Sequence, residues 1–214
     1  MIRPLVVVGA GGFGRETLDV VDALNRSSAE SVFEVLGVVD SNPSSANLDR
    51  LQRRGVPFLG SLEEWLKTDP SAEYLLGVGS PTDRERLDDR CRAEGLIAAT
   101  AIHPSATVGS EMRADDGVIV CAGVNVSTNV TLGRHVHLNP GSTVGHDSNV
   151  RDYVSINPGA ILSGEVNIKE RTLVGAGAVV LPGLTIGEGS VVGAAACVVR
   201  SVSANTVVKG VPAR

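Results

Sequence analysis

The strongest constraint on this 214-residue chain is a hexapeptide period that runs from Ile102 to Val198 without losing phase. Sixteen of the seventeen positions reached in steps of six are Val, Ile or Leu, and the exception is Ala114. An α-helix does not suit this period, because six steps of about 100° carry an apolar position around the helix. A hairpin does not suit it either, since its side chains alternate every two residues. A coil with three flat sides, each a short strand with one inward aliphatic residue, accommodates it.

A second period of eighteen residues lies on top of the first. Three consecutive segments between 138 and 191 align with one another, and eighteen residues correspond to three sides of the coil. Small or turn-forming residues then stack at one corner, where the chain must bend. The hexads therefore predict a parallel β-helix of about five to six coils, about 25 Å tall. The stacked corner pairs are Pro140-Gly141, Pro158-Gly159 and Ala176-Gly177.

The chain before the repeat alternates strand-like and helix-like segments, which indicates a small parallel α/β sheet. Ser61-Leu62-Glu63-Glu64 has the pattern of a capping box and opens one of the helices. We therefore expect an α/β domain over 1–100, joined without a flexible linker to the β-helix over 101–214. The predicted strands cover 5–8, 33–39 and 74–78, and the predicted helices follow Gly14 and Ser61 and cover 81–94.

A glycine motif, Gly9-x-Gly11-x-x-Gly14, lies between the first predicted strand and the first helix. Glycines there let a phosphate approach the backbone, and the helix N-terminus offers N–H groups to the anion. Asp40 ends the next strand, 26 residues after Gly14, where it can accept hydrogen bonds from a ribose or a base. The alternative is a tight turn that binds nothing. About 100 residues hold half of a doubly wound sheet, so a mononucleotide or nucleotide sugar fits better than NAD.

The hexads and the chain end resemble the hexapeptide-repeat acyltransferases. Gly210-Val211-Pro212-Ala213-Arg214 is similar to the G-x-P-A-[KR] ending of that family. The whole chain resembles the bacterial sugar acetyltransferases that join a Rossmann-like module to a left-handed parallel β-helix. That family includes nucleotide-linked 4-amino-sugar N-acetyltransferases and proteins labelled sialic acid O-acetyltransferases. The hexads that carry the resemblance begin with Leu132-Gly133, Val144-Gly145, Val174-Gly175 and Ile186-Gly187.

The resemblance implies acetyl-CoA-dependent N-acetylation of a nucleotide-linked amino sugar, by a homotrimer with active sites between subunits. Acyl transfer needs a base for the incoming nucleophile. His146-Asp147 matches the family's His-[Asp/Glu] motif, and the preceding 139–144 matches its Asn-x-Gly-x-x-Val stretch. The resemblance makes His146 the general base, with Asp147 orienting the imidazole and stabilising its charged form. The alternative is a surface histidine that happens to lie beside a surface aspartate.

Two positions depart from the family pattern. Phe13 stands where many members carry a histidine, and Ser155 stands where nucleotide-amino-sugar members often carry a second histidine. His137 precedes Ser155 by eighteen residues, so the two should stack and His137 can substitute for the absent side chain. The departure leaves open O-acetylation of a sialic acid-like sugar, or of another small hydroxyl or amine acceptor. The implied substrate-binding residues are Gly11, Gly12, Phe13, Gly14, Asp40, Asn139 and Ser155, and the implied acetyl-CoA-binding residues are Gly164, Ala176 and Ala194.

Charge and composition argue against several other classes of function. Residues 1–100 carry a net charge of −5 and residues 101–214 a net charge of zero, so neither half offers a basic face for nucleic acid. The longest mostly apolar stretch, 191–199, is far shorter than the about 20 residues of a membrane span. The N-terminus shows no signal-peptide pattern, so we expect a cytoplasmic protein. Cys91, Cys121 and Cys197 form no CxxC pair and are predicted to be reduced.

Two hypotheses from other classes stay open. A zinc carbonic anhydrase on a trimeric β-helix would need three histidine ligands, which His135, His137 and His146 could supply. The α/β module and the His-Asp pair argue against it, and we expect no metal. The second hypothesis is a non-enzymatic scaffold, in which the β-helix serves only to assemble a trimer.

Overall fold

The structure is a computed structural model that describes residues 2–68 and 71–214. The chain divides into two compact units, the first ending at Ala101 and the second covering Ile102–Arg214. The first unit is an α/β sheet with helices, and the second is a coiled stack of two-residue strands. We describe each unit by itself.

The first unit contains a parallel three-stranded sheet in the order β2-β1-β3. The predicted strands and three predicted helices are present, and a fourth helix, α2, was not predicted from the sequence. The capping box at Ser61 is confirmed, since its side chain and that of Glu64 each bond to the other's backbone N–H. The strands are Arg3–Val8 (β1), Phe33–Val39 (β2) and Glu73–Leu76 (β3), and the helices are Gly12–Ser27 (α1), Ser45–Arg54 (α2), Leu62–Leu66 (α3) and Pro81–Ala93 (α4).

Helices cover both faces of this sheet because the buried β1 side chains alternate between them. Val7 packs in one cluster with Leu18 of α1 and Leu51 of α2. Val6 and Val8 pack in the other cluster, which contains the buried side chains of α3 and α4. All three strands end at the same edge of the sheet, and the turns that follow them there carry the glycine motif and Asp40.

The second unit is a parallel β-helix of three sheets, of seven, six and five strands, with about six coils. Before the last coil, each strand pairs with the one eighteen residues further along, as Thr143–Val144 does with Ile161–Leu162. Its strands are Ala101–Ile102 (β4), Thr107–Val108 (β5), Arg113–Ala114 (β6), Ile119–Val120 (β7), Asn125–Val126 (β8), Thr131–Leu132 (β9), His137–Leu138 (β10), Thr143–Val144 (β11), Asn149–Val150 (β12), Ser155–Ile156 (β13), Ile161–Leu162 (β14), Asn167–Ile168 (β15), Leu173–Val174 (β16), Val179–Val180 (β17), Thr185–Ile186 (β18), Val191–Val192 (β19), Cys197–Val198 (β20) and Val207–Val208 (β21).

The aliphatic position of every hexad is the second residue of a strand, as the sequence predicts. From Val120 to Val198 these side chains are at most 2% exposed, so they form the core of the coil. The predicted corner also forms, because the N–H of Gly159 donates to Pro140 and that of Gly177 donates to Pro158. Glycines at this corner have φ near +66°, a conformation that side chains disfavour.

The last coil is shorter than the others. Ile186 pairs with Val202 and Val192 pairs with Val208, a separation of sixteen residues instead of eighteen. The chain end then folds back on β20, where the N–H of Ala213 donates to the carbonyl of Cys197 at 2.8 Å. The regular period therefore stops after Val198, where the hexads also stop in the sequence.

Among the helices that the structure describes, none combines the length and the apolarity that crossing a bilayer would need. The three cysteines are free thiols, as predicted. Burial raises the pKa of the Cys91 thiol to about 12, so it stays protonated in the core of the first unit.

Candidate active site

Two corners of the β-helix carry the residues singled out in the sequence. We call the corner after the six-stranded sheet the histidine edge and the corner after the seven-stranded sheet the proline edge. Backbone N–H groups link successive coils along each edge, which fixes the vertical order of the side chains. The histidine edge contains Ser110-Glu111, Thr128-Asn129, His146-Asp147 and Gly164-Glu165, and the proline edge contains Pro140-Gly141, Pro158-Gly159, Ala176-Gly177 and Ala194-Ala195.

His146 and Asp147 form a hydrogen-bonded pair on the outside of the β-helix. His146 Nδ1 lies 2.7 Å from Asp147 Oδ2, and the two side chains are 57% and 47% exposed. Asp147 Oδ1 accepts a second hydrogen bond from Asn129 Nδ2 at 2.9 Å. These two bonds, that from Asn129 first, hold the pKa of Asp147 below its usual range, so the carboxylate is charged and available to an imidazolium.

The ring of His146 lies against Gly164, one coil further along the histidine edge. A Cβ on Gly164 would lie 2.5 Å from His146 Nε2 and 2.6 Å from Cε1, which real contacts do not allow. A glycine at 164 is therefore what leaves room for the imidazole. Nδ1 is occupied by Asp147, so Nε2 is the nitrogen that can exchange a proton with a substrate.

The residues proposed from the resemblance for acetyl-CoA divide between the two edges. Gly164 is beside His146 on the histidine edge, whereas Ala176 and Ala194 are on the proline edge. The six-stranded sheet separates the two edges. Small side chains thus occur on both edges, and only Gly164 contacts the histidine.

The three remaining candidates on the β-helix lie on or after the seven-stranded sheet. His137 and Ser155 stack in register, as predicted, and both are almost fully buried. Asn139 is also buried, and its Nδ2 donates to the carbonyl of Ile156 at 3.0 Å. One amide N–H of Asn139 therefore already bonds to the backbone of the next coil.

The structure does not bring the three histidines of the carbonic anhydrase hypothesis to one corner. His135 is buried at the corner after the five-stranded sheet, where its ring stacks on Tyr153 at 5.9 Å. His137 is buried on the seven-stranded sheet, and His146 is exposed on the histidine edge. In residues 2–68 and 71–214, no group of three or more His, Cys, Asp or Glu side chains could hold a metal ion.

The glycine motif of the first unit contains glycines of two kinds. A Cβ on Gly14 would lie 1.9 Å from the carbonyl oxygen of Gly9, so Gly14 is required for α1 to pack against the turn. A Cβ on Gly11 or Gly12 would meet nothing within 4 Å. Gly12 begins α1 and Phe13, half-buried, follows it. The turn thus leaves open space over Gly11 and Gly12, where a phosphate can approach the backbone.

Asp40 links the end of β2 to this turn. Its Oδ2 accepts from the N–H of Ala10 at 2.8 Å, and its Oδ1 accepts from the N–H of Asn42 at 2.9 Å. Arg15 holds the other side of the turn, because its guanidinium donates to the carbonyl of Ala10 at 2.9 Å. Asp40 therefore fixes the shape of the turn and also lines the cavity beside it.

That cavity, of about 290 Å³, opens at the edge of the sheet where the strands end, the usual place for a ligand in such a fold. Sequence reasoning missed its far wall, which the first turns of α4 form, and the buried groups that hold α4 in place. Arg84 of α4 is fully buried and donates to the carbonyl of Val78 at 2.9 Å, which holds the β3–α4 turn. Tyr74 donates to the buried carboxylate of Asp88 on the same helix. The cavity is lined by Val8, Gly9, Asp40, Ser41, Asn42, Leu62, Val78, Asp83, Arg86 and Leu87.

Comparison with known proteins agrees with both halves of this description. Residues 4–91 match the family model for the PglD N-terminal domain. A variant of perosamine N-acetyltransferase from Caulobacter crescentus, solved with CoA and GDP-perosamine, is 31% identical with a TM-score of 0.88, covering all of this chain and 97% of that one. The acetyltransferase domain of PglB from Neisseria gonorrhoeae FA1090, in complex with acetyl coenzyme A, is 28% identical with a TM-score of 0.85, covering 100% and 99%.

A curated relative is the GDP-perosamine N-acetyltransferase of Escherichia coli O157:H7, 31% identical over 148 residues. That match covers 69% of this chain and 64% of the relative, which is less than two thirds of its length. The succession of an α/β unit and a β-helix agrees with the match over nearly the whole Caulobacter chain. The resemblance drawn from the sequence is confirmed: the chain belongs to the perosamine and PglB family of acetyltransferases, which join a PglD-type N-terminal domain to a left-handed β-helix.

Proposed function

We propose that the protein transfers the acetyl group of acetyl-CoA to the amino group of a nucleotide-linked amino sugar, with His146 as general base. The observation that carries the proposal is the exposed His146–Asp147 pair, whose 2.7 Å contact leaves Nε2 as the free nitrogen of the ring. An exposed, carboxylate-paired imidazole is the arrangement that general base catalysis needs near neutral pH.

In the proposed reaction the neutral amine attacks the thioester carbonyl carbon, and the new N–C bond moves the carbonyl electron pair onto oxygen. His146 Nε2 accepts the proton that the substrate nitrogen loses. The charged carboxylate of Asp147 stabilises the resulting imidazolium through Nδ1. Collapse of the tetrahedral intermediate breaks the C–S bond, and the imidazolium returns the proton to the departing thiolate, which gives CoA and the N-acetyl sugar.

We assign the nucleotide part of the substrate to the cavity of the first unit. Open backbone at Gly11 and Gly12 suits the diphosphate, and the cavity beside Asp40 suits the nucleoside. GDP-perosamine is the first acceptor to test, because it is bound in the Caulobacter complex and named in the Escherichia relative. Under this assignment Asp40 both fixes the shape of the turn and lines the cavity that holds the nucleoside.

The test is to mix the purified protein with acetyl-CoA and GDP-perosamine, and in parallel with UDP- and dTDP-linked 4-amino sugars. Free thiol release and product mass are followed together. Thiol release with the mass gain of one acetyl group, lost in His146→Ala, is the expected result for one of these sugars. A His146→Ala variant that keeps full activity would remove the proposed base. Acetylation of a hydroxyl acceptor such as sialic acid, with none of the amino sugars acetylated, would replace the proposed acceptor.

We further propose that the working form is a homotrimer. Ile161, Leu181 and Val199 lie on or directly after strands of the six-stranded sheet, and each is more than a third exposed. Apolar side chains grouped on one face of a monomer favour a subunit interface there. The face adjoins the histidine edge, so a second subunit packed on it would lie beside His146.

A further inference from the structure

We propose that Asn129 is a positioning residue of the candidate active site: it fixes the carboxylate of Asp147 so that Asp147 can orient His146. Asn129 lies one coil before Asp147 on the histidine edge, and its side chain bonds to the carboxylate of Asp147. The inference rests on the proposed function of His146 as the base, and the experiment below separates the two.

The geometry divides the two oxygens of Asp147 between two donors. Oδ1 accepts from Asn129 Nδ2 at 2.9 Å, and Oδ2 lies 2.7 Å from His146 Nδ1. A carboxylate held at both oxygens cannot rotate about its Cβ–Cγ bond without losing one of them. The contact with His146 alone would leave that rotation free.

The backbone holds both partners in matching positions. The N–H of Asn129 donates to Ser110 at 3.0 Å, and the N–H of Asp147 donates to Thr128 at 3.1 Å. Asn129 and Asp147 both have φ of 58°, the left-handed turn conformation that asparagine and aspartate tolerate better than most residues. The side chains therefore leave equivalent turns in the same direction, one coil apart.

An amide is the side chain that suits this place because of the charges around it. Glu111 occupies the same turn position one coil before Asn129, and Glu165 occupies it one coil after Asp147. A neutral donor at 129 bonds Asp147 without adding a fourth carboxylate to the column. The same bond is the largest cause of the lowered pKa of Asp147. Asn129 thus favours the charged form of Asp147 further, as well as orienting the carboxylate.

The experiment compares Asn129→Gly and Asn129→Asp with the wild-type protein. Glycine removes the donor and adopts positive φ without steric strain, so the backbone of the turn is not strained. Aspartate keeps the shape, loses the donor and adds a negative charge. Asn205→Gly is the matched control, since Asn205 is an exposed asparagine at φ 55° in a turn on another corner.

Two readouts are taken. The first is the ¹⁵N NMR titration of His146, assigned by its absence in His146→Ala, which reports the Nδ1–H tautomer and the imidazole pKa. The second is the pH dependence of kcat and KM with acetyl-CoA and GDP-perosamine. The NMR readout needs no turnover, so it tests Asn129 whichever acceptor the protein uses.

In Asn129→Gly we expect a smaller fraction of His146 with its proton on Nδ1. We also expect about a tenfold lower kcat with an unchanged KM for acetyl-CoA, because a base that is less well positioned supplies only part of its rate enhancement. In Asn129→Asp we expect the imidazole pKa to rise, because a second negative charge favours the imidazolium. Asn205→Gly should change neither. A wild-type tautomer ratio in Asn129→Gly would overturn the positioning role. An active His146→Ala variant would instead overturn the proposed base.

Discussion

Asp147 keeps its negative charge through the whole pH range in which a histidine titrates. Hydrogen bonds from Asn129 and then His146 lower its pKa, so the carboxylate takes up a proton only at a pH below its usual range. Near neutral pH the carboxylate therefore stays charged and available to the imidazole of His146.

We predict that Asp147→Asn lowers kcat about 10- to 100-fold, because the imidazolium loses its charged partner. The acid limb of the kcat/KM profile should move to lower pH, since an imidazole without an adjacent carboxylate is protonated less readily. Steady-state rates between pH 5 and 9 measure both effects. Glu165→Gln, which removes a charge one coil away and keeps the backbone hydrogen bond from residue 165 to His146, should shift the limb less. Equal shifts in the two variants would contradict a specific role for Asp147.

The contact between Gly164 and His146 gives a second prediction. In Gly164→Ala the new Cβ would lie 2.5 Å from Nε2, so the imidazole must move away. Displacing a base by about 1 Å can cost about 10²-fold in rate, and we expect a loss of that order in kcat. Gly164 has no positive φ, so the melting temperature should change little. Gly193→Ala on the same β-helix, where a Cβ would press on the Lys209 side chain at 3.0 Å, is the control for added bulk.

At the scale of an element, the turn between β1 and α1 contains a glycine that packing requires, Gly14, and a glycine that we assign to phosphate binding, Gly12. Gly12→Ala adds a methyl group to open space at the start of a helix, so stability should hold or improve by up to about 1 kcal/mol. Gly14→Ala places a Cβ 1.9 Å from a carbonyl oxygen, which should cost about 3 kcal/mol or more. Thermal unfolding measures the stability of the two variants, and calorimetry measures their binding of GDP. We expect weaker GDP binding in a folded Gly12→Ala; undiminished binding there would contradict the phosphate assignment.

The β-helix could be predicted from the sequence because each of its strands buries one aliphatic side chain at a fixed spacing. Helix α2 was not predicted, since only Leu51 of its ten residues is buried and Leu48 is the one other leucine in it. The available signals were local: Ser44 caps its first turn, and Gly55 ends it in the left-handed conformation. Caps mark the ends of a helix, and they are weak evidence for one when only two leucines lie between them.

The candidate site was only partly predictable for a related reason. Addition of eighteen residues correctly stacked His137 on Ser155, and the same step from Asn129 leads to Asp147. What the period cannot supply is side-chain direction: it did not show that His146 lies over Gly164. The burial of Arg84 and Asp88 was missed because charged side chains on a helix are usually exposed.

At the scale of the whole molecule, the exposed face of the six-stranded sheet predicts the assembly. Light scattering after gel filtration should give about three times the 22.1 kDa chain mass. Leu181→Asp places a charge on that face and should yield monomers that lose activity. Phe58→Asp is the control, because Phe58 is an equally exposed apolar residue that belongs to the first unit and not to the six-stranded sheet. A wild-type monomer with full activity would contradict the proposed trimer.

The folded-back chain end has a consequence for solubility. The last coil of a parallel β-helix presents unpaired N–H and C=O groups, on which another molecule could stack indefinitely. Here Val202 pairs with β18, and the segment that follows β21 occupies the edge of β20 through the bonds of Cys197 with Gly210 and Ala213. The last coil is two residues shorter than the others, and the segment after β21 covers the edge of β20. Together these features prevent molecules from stacking end to end into fibres. A chain truncated after Val208 should aggregate end to end, while the coils that precede the last one keep their fold.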